Sequence, residues 1–211
     1  AVSAGTLHMN RIRVDLEGTT ASDTVRGLMI SGGSSVEASD FIVDLSVTST
    51  AIARAVEVAS SSLSLRESSF KTVSTGSGEA LAIVITGASS QLDIRDLKAI
   101  TSSSYANEVI LAHEATALTI QNSHLESAFS NVASGNGVIV VDTGAQMDIR
   151  NSTVITSAGK TGISAYGFGS AVRVSSTLIS AGAGCYSGGG QVTCAGVTDE
   201  AYVFSSSTCP S

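Results

Sequence analysis

A repeat constrains this chain more than any other feature. The segments "SSLSLRESSFKTVSTG", "SQLDIRDLKAITSSS", "TALTIQNSHLESAFS" and "AQMDIRNSTVITSAG" share one rhythm of apolar and polar positions. Taking the first apolar residue of each recurring apolar-x-apolar strand as an anchor gives Leu7, Val36, Leu63, Leu92, Leu118, Met147 and Val172. Successive differences between these anchors are 29, 27, 29, 26, 29 and 25 residues. Self-similarity at a nearly constant period of this length marks a solenoid.

Within each repeat the anchor and the residue two later are both apolar, as in Leu63/Leu65, Leu92/Ile94, Leu118/Ile120 and Met147/Ile149. That period of two predicts a short strand with one buried face. Four residues after the anchor stands a mostly polar residue: Arg11, Asp40, Glu67, Asp96, Asn122, Asn151 or Ser176. Short polar side chains suit a corner, where they can bond neighbouring backbone. A second strand follows, with inward pairs such as Ile12/Val14, Phe41/Val43, Leu97/Ala99 and Ser152/Val154. After a variable loop a third follows, as in "VRGLMI", "LAIVIT", "EVILA" and "GVIVVD". Three short strands per repeat without helices predict a parallel β-helix of about seven coils. Like residues would then stack at about 4.8 Å into ladders.

Composition agrees. The chain of 211 residues is 43% apolar yet only 4% aromatic, so Val, Ile, Leu, Ala and Thr must fill the core. β-Branched residues of this kind fit strands better than helices. A net charge of −7 with no Lys/Arg cluster argues against nucleic acid as a partner. No apolar run reaches the roughly 18 residues of a membrane-spanning helix. The first residues, "AVSAG", lack the basic and apolar regions of a signal peptide.

Hexapeptide periods of left-handed β-helices are absent, so the coil reads as right-handed. The sequence resembles the right-handed parallel β-helix (pectate-lyase-like) superfamily over about residues 5 to 184. This divides the chain into a β-helix over 1–184 and a C-terminal cap over 185–211. The cap is Gly- and Ser-rich and holds all three cysteines, Cys185, Cys194 and Cys209. They read either as three buried thiols or as a disulfide staple in an oxidising compartment. "CAGVTDEAYVFSSSTC" is similar to a Cys-bracketed ending of phage-type and bacterial surface β-helices, through Cys194, Gly196, Asp199, Glu200, Tyr202 and Cys209. That likeness implies a Cys194–Cys209 bridge, with Cys185 free or paired between chains. It also implies an extracellular or virion setting.

Two faces are candidates for function. The first strand exposes Asp93 with Arg95 and Asp148 with Arg150. Enzymes of the superfamily place acids and bases on such a face to cleave polysaccharide. The resemblance would make Asp93 and Asp148 a carboxylate pair, with Arg95 and Arg150 as clamps. They lie two coils apart, about 10 Å, whereas glycosidase pairs stand roughly 5 to 9.5 Å apart. No aromatic residue flanks them in sequence. A solvated ladder of ion pairs, each worth well under about 1 kcal/mol, is the competing reading. On the third strand, strict alternation turns Met29, Ile83, Ile85, Val109, Leu111, Val138 and Val140 inward. It leaves Leu28, Ile30, Val84, Ile110, Ile139 and Val141 outward as an apolar stripe. A sheet apolar on both faces is normally covered on both. The stripe therefore predicts a homo-oligomer seam, preferably of a trimer, unless the loops "TSTAIARA" or "SSSYANE" fold over it.

Other motifs point nowhere specific. His113, Glu114, His124 and Glu126 fall on different elements, so no metal site is expected. "SGNG" at 134–137 precedes no helix and is no phosphate cradle. No cofactor is implied. The reading is a structural or receptor-binding module of a trimeric phage-type tail spike or fibre, or of a secreted surface protein, with a cell-surface polysaccharide as possible ligand. A polysaccharide lyase or glycoside hydrolase is the alternative.

Overall fold

A computed structural model describes residues 2–3, 5–18, 24–48, 50–105, 107–114, 116–129, 137–157, 160–181, 183–199, 204–205 and 209. Residues 134–136 of the "SGNG" segment, Ser49 and Ala106 of the two loops, and Glu200 and Tyr202 of the ending lie outside that set. Among the described residues all regular structure is β, and every strand pair but one is parallel. The chain is a parallel β-solenoid. Third strands form an eight-stranded sheet from Val2–Ser3 to Ala183–Gly188. First and second strands form a folded 15-stranded sheet, continuous through Thr6–Gly18 and Ser35–Val47, which each turn the corner as one strand.

Stacking follows the sequence columns. Leu63, Leu92, Leu118, Met147 and Val172 pair rung on rung, as do Leu65, Ile94, Ile120, Ile149 and Val174. Both columns are buried in one continuous apolar core. About six turns enclose that core, slightly fewer than expected. At the first rung Leu7, Met9, Val14 and Leu16 remain only partly buried, and Ile12 is 40% exposed.

The polar corner has a backbone cause. Arg11, Asp40, Glu67, Asp96, Asn122, Asn151 and Ser176 all have φ between 49° and 57°. One left-handed residue per coil turns the chain between strands, and Asn or Asp accept this geometry best. The next residue inside the corner is Ser123, Ser152 or Thr177 in successive coils. Its hydroxyl donates to the carbonyl two residues back at 2.8 Å. It also accepts from the N–H of the preceding coil at 3.1–3.4 Å, as in Ser123 N to Ser152 Oγ and Ser152 N to Thr177 Oγ1. Asn151→Val, a β-branched residue at φ 49°, is expected to lower stability by about 1–2 kcal/mol. Asn151→Gly should cost less. Urea denaturation of the two variants checks this, and equal midpoints would remove the corner from the account.

The third strand corrects the alternation. Its pairing skips one position: Glu108 pairs Leu81 and Ile110 pairs Ile83, leaving Val109 and Ala82 at a kink. The same skip separates Arg26/Arg54 from Leu28/Val56. Small residues recur at the kink, as in Gly27 and Ala55. A Cβ on Gly27 would stand 2.6 Å from the Ala55 carbonyl oxygen. At this bend two consecutive residues turn inward, so Val109 and Ile110, and Val138 and Ile139, are all in the core. Beyond the kink the phase is reversed relative to the sequence expectation in Thr24–Ser31, Asn107–Ala112 and Ile139–Val141, whereas in Ala80–Thr86 Ile83 and Ile85 lie in the core as expected. Ile30, Ile110, Ile139 and Val141 are fully buried, and Leu28 packs against the same core. These five residues therefore form no exposed seam. Met29, Leu111 and Val140, expected inside, take the outer face with Val84. Even there, Val84 and Val140 are only 3% exposed.

Parallel pairing runs past residue 184. Gln191–Ala195 and Val197–Asp199 continue the parallel stacking, and Phe204–Ser205 then pairs antiparallel to Val197–Asp199. Cys194 and Cys209 are joined by a disulfide, as the ending implied. Cys185 is a free thiol.

Candidate functional site

The first-strand face carries the candidate site. Its register sets outward side chains in columns along the solenoid axis. Glu37, Ser64, Asp93, Thr119, Asp148 and Arg173 form one column. Ser62, Gln91, Ala117, Gln146 and Ala171 form the column before it, and Arg66, Arg95, Gln121, Arg150 and Ser175 the column after. Short side chains in the middle leave a hollow of about 560 Å³ from Ser35 to Arg173. A second hollow, of about 460 Å³, shares Asp148 and Arg173 with it. A third, of about 360 Å³, shares Glu37 and Ser64. Together they make one trough along the whole face.

The predicted carboxylates both line this trough, but they do not meet. Thr119 pairs with Asp93 on one side and Asp148 on the other, so two rungs of about 4.8 Å separate them. Each carboxylate instead faces guanidinium groups. Asp93 lies 3.6 Å from Arg95 and 3.9 Å from Arg66 on the neighbouring coil. Asp148 accepts two hydrogen bonds from Arg150, one of them from Nε at 3.1 Å. The hydrogen bond and the charge of Asp148 raise the Arg150 pKa further above its ordinary value. This is the charged ladder that the sequence spacing favoured. Exposed pairs of this kind orient side chains more than they stabilise the fold.

Two features of the face escaped the sequence. Gln91 and Gln146 stand in one column of the trough, with a small residue between them, and contribute amide donors and acceptors. Gln146 Nε2 donates to the Gly169 carbonyl at 2.6 Å, which ties the trough to the turn Gly167-Phe168-Gly169. Both glycines have positive φ, at 71° and 85°, and Phe168 between them is 99% exposed. The turn bonded to Gln146 thus carries a fully exposed aromatic side chain, although no aromatic flanks Asp148 in sequence.

Other charged clusters lie elsewhere. On the third-strand sheet Glu57 accepts from Arg26 at 2.5 Å and from Arg54 at 2.8 Å. Burial alone would raise the Glu57 carboxyl, but the two arginines outweigh it and hold the pKa below its usual value. Only the stacking of Arg26 on Arg54, 28 residues later, brings this triad together. His113 pairs with Asp142 at 3.5 Å and His124 with Glu126 at 3.2 Å, on separate elements. Among the described residues, the group of side chains close enough to share a metal ion is Cys185, Cys194 and Cys209.

No family model, curated protein or solved structure matches the chain.

Proposed function

We propose that this solenoid is a structural and receptor-binding module that presents its first-strand trough to a surface glycan in an extracellular or virion setting. The trough itself carries the reading: amides, hydroxyls and ion pairs recur along it, and the turn bonded to Gln146 exposes an aromatic side chain. Such a surface matches an extended, hydroxyl-rich ligand, which needs many modest hydrogen bonds and an apolar face to stack on. The disulfide supports the oxidising compartment. A trimer of the tail-spike kind is not required by this reading, because most of the expected seam residues lie in the core.

Polysaccharide cleavage is the second reading. It draws on Asp148, Arg150 and Arg173, which line the second hollow together where it meets the first. Against it stands the two-rung gap between Asp148 and Asp93.

A glycan array followed by calorimetry tests the proposal. Gln91→Ala/Gln146→Ala is expected to weaken binding of any captured glycan at least about tenfold, the loss of one to two hydrogen bonds. Unchanged affinity would move the site off this face. Cleavage of a glycan that is abolished in Asp148→Ala would replace the binding reading by the enzymatic one.

A further inference from the structure

The C-terminal end holds three sulfurs where a staple needs two. Cys185 Sγ, Cys194 Sγ and Cys209 Sγ all lie within 4.8 Å of one another. They come from three different segments. Cys185 sits on the last third strand, stacked on Ile163. Cys194 sits on the last first strand, stacked on Val174. Cys209 follows the end strand Phe204–Ser205 in sequence and packs against the same core. Each sulfur packs on or within the apolar core, so the cluster closes the end of the solenoid.

We propose that these three cysteines form an exchangeable pair of bridges, and that exchange unmasks Cys209 as a site of covalent attachment through a mixed disulfide. The Cys185 thiolate attacks Cys194 Sγ, a Cys185–Cys194 bond forms, the Cys194–Cys209 bond breaks, and Cys209 leaves as thiolate. No oxidant or reductant is consumed. The Cys209 thiolate then attacks a second disulfide, low-molecular-weight or on another chain, and releases one half of it as a thiolate.

Direction follows from desolvation. Attack on Cys209 would expel the Cys194 thiolate, whose residue is 5% exposed. Attack on Cys194 expels Cys209, which is only partly buried and better able to carry charge. The resting bridge persists because burial pushes the Cys185 thiol up to about 12, so little nucleophile exists at neutral pH. The arrangement is therefore latent until the cap opens or the thiol ionises.

The test uses the whole oxidised protein and glutathione disulfide as probe, in mildly alkaline buffer. Samples are quenched in acid, digested and mapped by mass spectrometry without reduction. The expected products are a Cys185–Cys194 peptide and glutathione on Cys209. Cys185→Ser is expected to slow the Cys209 adduct at least tenfold. An adduct on Cys185 with the original bridge intact overturns the proposal. So does a Cys209 adduct formed equally fast in Cys185→Ser. A guanidinium-unfolded sample gives the pattern of unguided exchange, with all pairings present. The same pattern from native protein would also overturn the proposal.

Discussion

Ile139→Glu is expected to unfold the solenoid, not to loosen an assembly of copies. Ile139 is fully buried and stacks between Ile110 and Ile163 in a ladder that runs through the core. A carboxylate there has no partner along that ladder, and an unpaired buried charge costs several kcal/mol even after relaxation. The loss should exceed about 4 kcal/mol, a large part of the stability of an ordinary domain. Leu111→Glu is the control. One residue beyond Ile110, Leu111 lies on the outer face, paired with Val84 and Val140. Its replacement should cost far less and leave the β-sheet circular dichroism intact. Urea denaturation of both variants reads the difference. A folded Ile139→Glu with a wild-type midpoint would restore the alternation expected from sequence.

Removing the terminal staple is expected to have the second-largest effect. Cys209→Ser alone leaves Cys185 and Cys194 within bonding reach, so the clean variant is Cys185→Ser/Cys209→Ser. The native bridge closes a loop of 15 residues, and a loop of that size is worth about 3 kcal/mol in the chain-entropy account. A solenoid transmits this loss along its axis, since each coil is held mainly by its neighbours. The last coils should fray first, so amide exchange should accelerate at Val172–Val174 before it does at Leu92–Ile94. Cys209→Ser should fall between the wild type and the double variant, because a Cys185–Cys194 bridge still closes the core. Equal stability of all three proteins would mean that the antiparallel end strand alone caps the rod.

The first-strand face was partly legible. Asp93, Arg95, Asp148 and Arg150 do share one surface, as their place in the repeat required. Their distance from one another was also legible, because rung spacing is common to all β-sheets. The trough was not. It arises from short side chains of several coils lying side by side, and the turn at Gly167–Gly169 is tied to it through Gln146. Each of those residues is unremarkable in its own repeat.

The amino-acid sequence by itself determined the coil: its period, its three strands, its polar corners and the core columns of the first strand. These follow from local rules, since alternation and corner chemistry repeat within a few residues and the repeat multiplies the signal. Tertiary structure alone decided which way the third strand faces, where the trough lies, and that three sulfurs converge. The third strand shows why. Alternation carries direction only while every residue advances the pleat by one step, and a single kink with two inward residues reverses everything after it. That kink is fixed by pairing with a strand about one coil away, information that no window along a single repeat contains.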